Sequence, residues 1–258
     1  MNLDKINNLL LSAEALNADL SSPMPAIIFD TETTGFNDPR IIEAGYIEVD
    51  IANGQLLHGM PYLARYNPEK PSELGALKTH HILDSELIGC HSYKEFSLPN
   101  GIEYIICQNS DYDIQMVPNA DKYKAICTVG MARKLWPEAD SHSLTAMMYH
   151  IFGRTDEVRQ LIKQAHSAIA DCMMTWHLLN QIIIKSSITD LEQLYHYSND
   201  CKITTARLRF GKHKGRYLVD LVDIEPSYLV WLKNQIDMDK EVRNVASKLV
   251  EAYGIKNG

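Results

Sequence analysis

Two acidic side chains stand one residue apart at the end of an apolar run. The segment is "AIIFDTETTG" at residues 26–35, and the two acids are Asp30 and Glu32. Alternate residues of a β-strand point to the same face, so the two carboxylates lie side by side wherever the strand continues. Two like charges placed in this way repel unless a positive charge lies between them. The pattern therefore predicts either a solvated turn or a pair of ligands for a cation.

Two later segments bring further carboxylates to the ends of predicted elements. Asp113 follows the predicted strand "EYIICQ", and on a helix it shares a face with Asn109. Asp171 enters an apolar helix in "HSAIAD", five residues after His166. Because five helical residues would rotate these two side chains apart, we expect His166 in the preceding loop or the first turn. Each segment alone is also typical of surface residues, but all three in one protein favour a common site.

Four carboxylates from separate elements repel one another unless they hold hard divalent cations. Mg²⁺ and Mn²⁺ prefer such oxygen ligands, and water and phosphate oxygens occupy their remaining coordination positions. Two ions about 3.5–4 Å apart form the arrangement used for in-line displacement at phosphorus. A histidine can act as the general base near neutral pH. The residues thus predict phosphate ester hydrolysis assisted by two Mg²⁺ or Mn²⁺ ions.

The order of elements predicts an α/β fold. The run "AIIFD" predicts a buried strand, and "IIEAGYIEVD" and "LLHGMPYLARY" predict two more, joined at "NGQ", a strong hairpin signal. Helices and strands then alternate, and "SSITD" at residues 186–190 predicts a helix cap and a domain boundary. We therefore expect a helical preface at 1–24, a main domain at 25–186 and a small C-terminal domain at 187–258.

Composition limits the class of protein. The sequence has 258 residues, a formal net charge of −8 and five scattered cysteines without paired spacing. The acidic balance argues against binding of polyanions through bulk charge, and the cysteine pattern favours a reducing, cytoplasmic location. The segment 201–219 contrasts with the rest because it contains no acid. Its Lys212, Lys214 and Arg216 belong either to a solvated basic hairpin or to a contact with a DNA backbone.

The motifs "FDTETTG", "QNSDYD" and "HSAIAD" resemble the three exonuclease motifs of the DEDD superfamily, in its DEDDh branch. This branch includes the proofreading epsilon subunits and exonuclease X, and "ICTVGMARKLWP" and the C-terminal tail resemble the exonuclease X group most. The resemblance implies a ribonuclease H-like mixed five-stranded sheet flanked by helices, with a small C-terminal α/β appendage. It also implies that two Mg²⁺ or Mn²⁺ ions bind to a set of four carboxylates and that His166 is the general base. That set is Asp30, Glu32, Asp113 and Asp171.

The activity implied by the resemblance is metal-dependent 3′–5′ hydrolysis of DNA ends, releasing nucleoside monophosphates in DNA repair or proofreading. A 3′–5′ exoribonuclease is an alternative, and a nucleic-acid-binding module with a decayed site is another. The implied partner is DNA with a 3′ end, most simply single-stranded, with RNA and a homodimer left open. The predicted substrate contacts are Thr33, Phe36, Leu77, His80, Gln108 and Asn109. Gln108 stands where the second motif usually has histidine, so a titratable side chain is lost there.

Overall fold

A mixed six-stranded sheet forms the centre of the protein. The computed structural model describes residues 24–256, so the predicted helical preface lies outside the described residues except for Met24. The strands are β1 (Ala26–Thr33), β2 (Ile41–Ala52), β3 (Gln55–Asn67), β4 (His91–Ser92), β5 (Tyr104–Cys107) and β6 (Lys124–Cys127). Their order in the sheet is β4-β3-β2-β1-β5-β6. The predicted α/β class and mixed sheet are confirmed. The prediction of five strands missed β4, whose two residues are too few to carry a periodic pattern.

Strands β1, β2 and β3 form an antiparallel meander, and β5 and β6 continue the sheet in parallel from β1. The β2–β3 hairpin turns at Asn53 and Gly54, which both have positive φ, at 52° and 79°. A two-residue type I′ turn requires positive φ at both positions, and an Asn-Gly pair meets this requirement at low cost. The hairpin signal in the sequence is therefore confirmed.

Helices surround the sheet and form most of the C-terminal part of the protein. They are α1 (Leu74–His80), α2 (Ser110–Asp113), α3 (Thr128–Leu135), α4 (Leu144–Phe152), α5 (Asp156–Ile162), α6 (Ala168–Ser186), α7 (Leu191–Thr205), α8 (Leu221–Ile224), α9 (Pro226–Lys233) and α10 (Lys240–Ala252). None of these described helices combines the length and the apolar character needed to cross a lipid bilayer.

Strand β1 is buried on both faces, and this decides where its polar end points. Ala26 and Ile28 pack in the cluster that contains α6, whereas Ile27 and Phe29 pack in the cluster on the opposite face. Side chains alternate along a strand, so the positions that follow Ile28 in this alternation also face α6. The strand thus aims its two acids toward the helix that carries the third motif.

Helix α6 approaches the sheet closely at Gly45 of β2. A Cβ atom at this position would lie 2.8 Å from the carbonyl carbon of Ala168 and 2.8 Å from the amide nitrogen of Ile169. Such a contact is shorter than packed atoms allow, so any larger residue at Gly45 would push the helix away. The glycine therefore lets the first turn of α6 rest on the sheet beside β1.

The C-terminal part of the protein builds a second hydrophobic cluster. Helix α7 packs with the sheet through Leu191 and Leu194, and the second cluster begins at Ala206. We therefore propose a division near residue 205, later than the boundary predicted at 187. The C-terminal appendage contains α8, α9 and α10, and its described strand content is one bridge between Arg207 and Tyr217. It holds less strand than the predicted α/β appendage, because turns at Gly211 and Gly215 interrupt the extended segment.

Candidate active site

The first two motifs meet at one edge of the sheet. β1 and β5 are parallel, so their carboxyl ends lie together, and Asp113 follows β5 in α2. Thr31 donates to Asp113 Oδ1 from both its backbone amide, at 3.1 Å, and its Oγ1, at 2.8 Å. Asp113 is only 4% exposed. The residue between Asp30 and Glu32 therefore holds the third carboxylate in place.

The third motif completes the cluster from the side of α6. Asp171 lies in the first turn of α6, and His166 lies in the loop before it with φ at 69°. Ligand atoms of Glu32, His166 and Asp171 all lie within 4.8 Å of one another. A cation could thus be held jointly by residues from β1, the loop and α6.

Burial is the main cause of the raised pKa values in the cluster, and repulsion between carboxylates adds to it for three of the four acids. Burial, followed by the charges of Asp113, Asp171 and Glu32, raises the pKa of Asp30 well above its usual range. Burial and the charge of Asp171 raise the pKa of Glu32 to about 8. Burial raises the pKa of Asp113 to about 7 against the opposing hydrogen bonds from Thr31. Burial also raises the pKa of Asp171 to about 6, although the His166 backbone N–H donates to it and lowers it.

This set of donors fits a divalent cation. All four carboxylates offer hard oxygen atoms, the ligands that Mg²⁺ and Mn²⁺ prefer. Burial withdraws these carboxylates from water and disfavours their charged forms, so an added positive charge would favour ionisation.

Glu43 is a residue of the site that the sequence analysis missed. It lies on β2 opposite Glu32 and is 2% exposed. Its Oε1 accepts from the backbone amide of Ala168 at 3.1 Å and from Ser167 Oγ at 3.2 Å, and Arg65 Nε donates to its Oε2 at 3.0 Å. Glu43 therefore caps the N-terminus of α6, where a negative charge is favourable. An acid inside the apolar run "IIEAG" was the available signal.

Asp111, two residues before Asp113 in α2, has an ion-pair partner. Lys202 Nζ of α7 lies 2.7 and 2.8 Å from the two carboxylate oxygens of Asp111. This ion pair ties α7 to α2, the helix that carries Asp113.

Two of the predicted substrate contacts have their polar groups turned to the protein. Gln108 Nε2 donates to the backbone carbonyl of His142 at 3.1 Å, and its Oε1 accepts from the Thr128 hydroxyl. Thr33 Oγ1 shares a 2.5 Å hydrogen bond with Tyr112 OH. These bonds engage the side-chain polar atoms of Gln108 and Thr33 within the protein, and their assignment as substrate contacts stays a prediction.

His80 is also enclosed. It is 6% exposed, its Nδ1 accepts from the backbone amide of Ile82 at 3.0 Å, and its Nε2 is buried without a partner among the described residues. Burial lowers its pKa, so the imidazole is held in its neutral form. His80 is thus enclosed by the protein, and its contact with substrate stays a prediction.

The remaining predicted contacts border the site. Phe36 is 86% exposed, and its ring stands edge-on to Tyr112 with 5.6 Å between centroids. Glu73 fixes the loop by accepting from the backbone amide of Phe36 at 3.3 Å. Asn109 is exposed with φ at 71°, and Leu77 is half-buried.

The basic residues of the C-terminal segment lie outside the acidic cluster. Lys214 and Arg216 are exposed, whereas Lys212 Nζ pairs with Glu225 Oε1 at 2.6 Å.

Comparison with known proteins connects this geometry to a group of enzymes. The protein is 29% identical over 228 residues to exodeoxyribonuclease 10 of Escherichia coli strain K12, covering 84% of its own length and 94% of that relative. The same enzyme from Escherichia coli O6:H1 gives the same values. The protein is homologous to these exodeoxyribonucleases. A solved structure of exonuclease X in complex with 5′ overhanging duplex DNA matches with a TM-score of 0.51 and 26% identity. The match covers 67% of the present sequence and 99% of the matched one. No protein-family model matches the sequence.

The raised pKa values predict an unusual dependence of stability on pH in metal-free protein. The folded protein retains protons on Glu32, Asp113 and Asp171 that the unfolded state loses near pH 4. The folded state therefore binds more protons, and the free energy of unfolding falls as pH rises from about 4 to about 8. Each retained proton lowers the free energy of unfolding by about 1.4 kcal/mol per pH unit. Urea unfolding in chelator at several pH values within this window measures the slope.

Two variants test the origin of this slope. Glu32→Gln should flatten it, whereas Asp121→Asn, which removes an exposed acid outside the cluster, should leave it as in the wild type. Added Mn²⁺ should stabilise the wild type more at the upper end of the window than at the lower end, because protons compete with the ion. Metal-free protein that becomes more stable as pH rises would contradict the arrangement of charges described above.

Proposed function

We propose that the protein is a 3′–5′ exodeoxyribonuclease that removes nucleoside monophosphates from DNA ends, with a role in DNA repair or proofreading. The observation that carries this proposal is the convergence of four carboxylates and His166 at one edge of the sheet. Homology to exodeoxyribonuclease 10 supports the choice of DNA as substrate.

The residues that would hold two Mg²⁺ or Mn²⁺ ions are Asp30, Glu32, Asp113 and Asp171. Bound there, such ions would polarise the phosphodiester and lower the pKa of the attacking water. Thr31 keeps Asp113 turned toward this site through two hydrogen bonds. Glu43 keeps the first turn of α6, and with it Asp171, against β2.

His166 is assigned the role of general base. It is exposed, it lies in a loop, and its ring nitrogen lies within 4.8 Å of ligand atoms of Glu32 and Asp171. It is therefore close enough to take a proton from a water molecule held by these acids. The exposed imidazole also reaches solvent, which allows the proton to leave after each turnover.

The exposed ring of Phe36 is assigned to the terminal base of the substrate, since aromatic faces stack on bases without regard to sequence. Leu77 and Asn109 border the same region and are proposed as further contacts. Lys212, Lys214 and Arg216 are proposed to meet the DNA backbone. All five cysteines are free thiols, which supports a cytoplasmic location because reducing compartments keep thiols unpaired.

The function is tested with a 5′-labelled single-stranded DNA and an RNA of the same sequence. Each is incubated with Mg²⁺, with Mn²⁺ and with chelator. We expect the DNA to shorten stepwise from its 3′ end only when a metal ion is present. Binding without shortening of either strand would show that the protein is not an exonuclease, and faster shortening of RNA would show that it is a ribonuclease.

A further inference from the structure

A cavity of about 510 Å³ lies between the sheet-bearing part of the protein and the C-terminal appendage. Arg133 and His142 line it from the side of the sheet. Arg207, Arg209 and Lys214 line it from the acid-free segment. Its volume is in the range of sites that hold small ligands or part of a polymer.

The charge of this cavity differs from that of the whole protein. Arg207, Arg209 and Lys214 are exposed, and no carboxylate partner contacts any of them within residues 24–256. The lining also holds three acids, Asp140, Asp239 and Glu241. Glu241 pairs with Arg133 at 3.1 Å, and the Asp239 carboxylate caps α10. The cavity lining thus holds four basic and three acidic side chains, in a protein whose net charge is −8. The three basic side chains from the acid-free segment are the ones without a carboxylate partner among the described residues.

The wall of the cavity also offers a flat surface. The Arg207 guanidinium lies over the Tyr217 ring, with 4.2 Å between its central carbon and the ring centroid. Stacked planes of this kind accept a nucleobase, and aromatic and arginine side chains together hold single strands in this way.

The cavity is connected to the candidate active site through the second acidic motif. His142, which lines it, accepts the hydrogen bond from Gln108 described above. A second cavity of about 530 Å³ shares Asp140 with the first and adds Arg154 and Arg159. Arg159 belongs to α5, the helix that leads into the His166 loop. Arg159 pairs with Asp156 of the same lining at 2.8 Å, so Arg154 is the basic group that the second cavity adds without a carboxylate partner among the described residues.

We propose that the 510 Å³ cavity binds the backbone of the single DNA strand whose 3′ end lies in the acidic site. Arg209 and Lys214 contact phosphates, and the Arg207–Tyr217 pair stacks on a base. This proposal rests on the proposed function and adds to it a separate binding site for the part of the strand that is not cleaved.

The test measures binding by wild-type protein and by the double variant Arg209→Gln/Lys214→Gln. Fluorescence anisotropy of a labelled oligonucleotide of about 16 nucleotides, the upper range of single-strand footprints, is followed in chelator at several salt concentrations. Loss of two phosphate contacts should reduce the salt slope of binding by about 1.4, since each contact to a single strand contributes about 0.7. The matched control is Lys233→Gln/Lys248→Gln, which removes the same charge from the same appendage outside the cavity lining.

The proposal is supported when Arg209→Gln/Lys214→Gln binds DNA more weakly and with a smaller salt slope, and the control variant keeps the wild-type affinity and salt slope. It is overturned when both variants behave alike, or when the first variant binds as tightly as the wild type. Metal-dependent shortening of DNA by the wild type is measured separately. If the wild type shortens DNA but the wild type and the double variant have the same salt slope, the cavity site is refuted and the proposed function is not. Thermal unfolding of both variants confirms that each is folded.

Discussion

Asp30→Asn is expected to lower the rate of DNA cleavage by about 10³-fold or more, because loss of several kcal/mol of metal-assisted stabilisation corresponds to such a factor. Asp30 lies at the centre of the cluster, where the charges of Asp113, Asp171 and Glu32 all act on its carboxyl group. Its replacement by the isosteric amide removes one anionic ligand and leaves the strand unchanged. The measurement is the single-turnover rate on single-stranded DNA with saturating Mg²⁺.

The same variant should be at least as stable as the wild type in the absence of metal. The substitution removes a buried carboxyl group whose ionisation is opposed by burial and by neighbouring carboxylates, so the melting temperature in chelator should stay equal or rise. Added Mn²⁺ should raise it less than in the wild type, because fewer ligands remain. Asp237→Asn, at an exposed acid of the appendage, serves as control and should change neither property. Full cleavage by the Asp30 variant would rule out its role as a metal ligand.

The parts of the site that the sequence predicts are those encoded by local pattern. Asp30 and Glu32 follow an apolar run whose alternation sets the direction of both side chains. Asn53 and Gly54 specify the hairpin by their own backbone preferences. In each case a few neighbouring residues contain the physical cause, so the prediction needs no knowledge of the rest of the protein.

The parts that the sequence does not reveal depend on distant partners. Glu43 caps a helix 125 residues further along the sequence, and Lys202 pairs with Asp111 across 91 residues. Nothing near Glu43 or Asp111 identifies these partners. The bonds from Gln108 to His142 and Thr128 likewise join residues that are distant in the sequence.

The boundary of the C-terminal appendage also depends on residues that are distant in the sequence. Helix α7 has an apolar face in its sequence, but the pattern does not say which core that face joins. In the folded protein Leu191 and Leu194 join the core of the sheet. Periodicity thus predicts a helix and its buried side, whereas the identity of the surface it covers comes from the three-dimensional arrangement.

His166→Gln is expected to lower kcat by about 10²- to 10⁴-fold, the usual contribution of a general base. His166 is exposed in a loop, so its replacement leaves no buried group unpaired. His91→Gln, at an exposed histidine on edge strand β4, is the matched control and should keep the wild-type rate.

Metal-induced stabilisation separates the role of base from that of ligand. The ring of His166 is near enough to Glu32 and Asp171 to share a cation with them. If His166 is a base and not a ligand, its replacement should abolish cleavage and leave the Mn²⁺-induced rise in melting temperature as in the wild type. If His166 is a ligand, its replacement should weaken that rise together with the rate, since fewer atoms then bind the ion. We expect the first outcome, because the four carboxylates already provide the oxygen ligands that Mg²⁺ and Mn²⁺ prefer over imidazole.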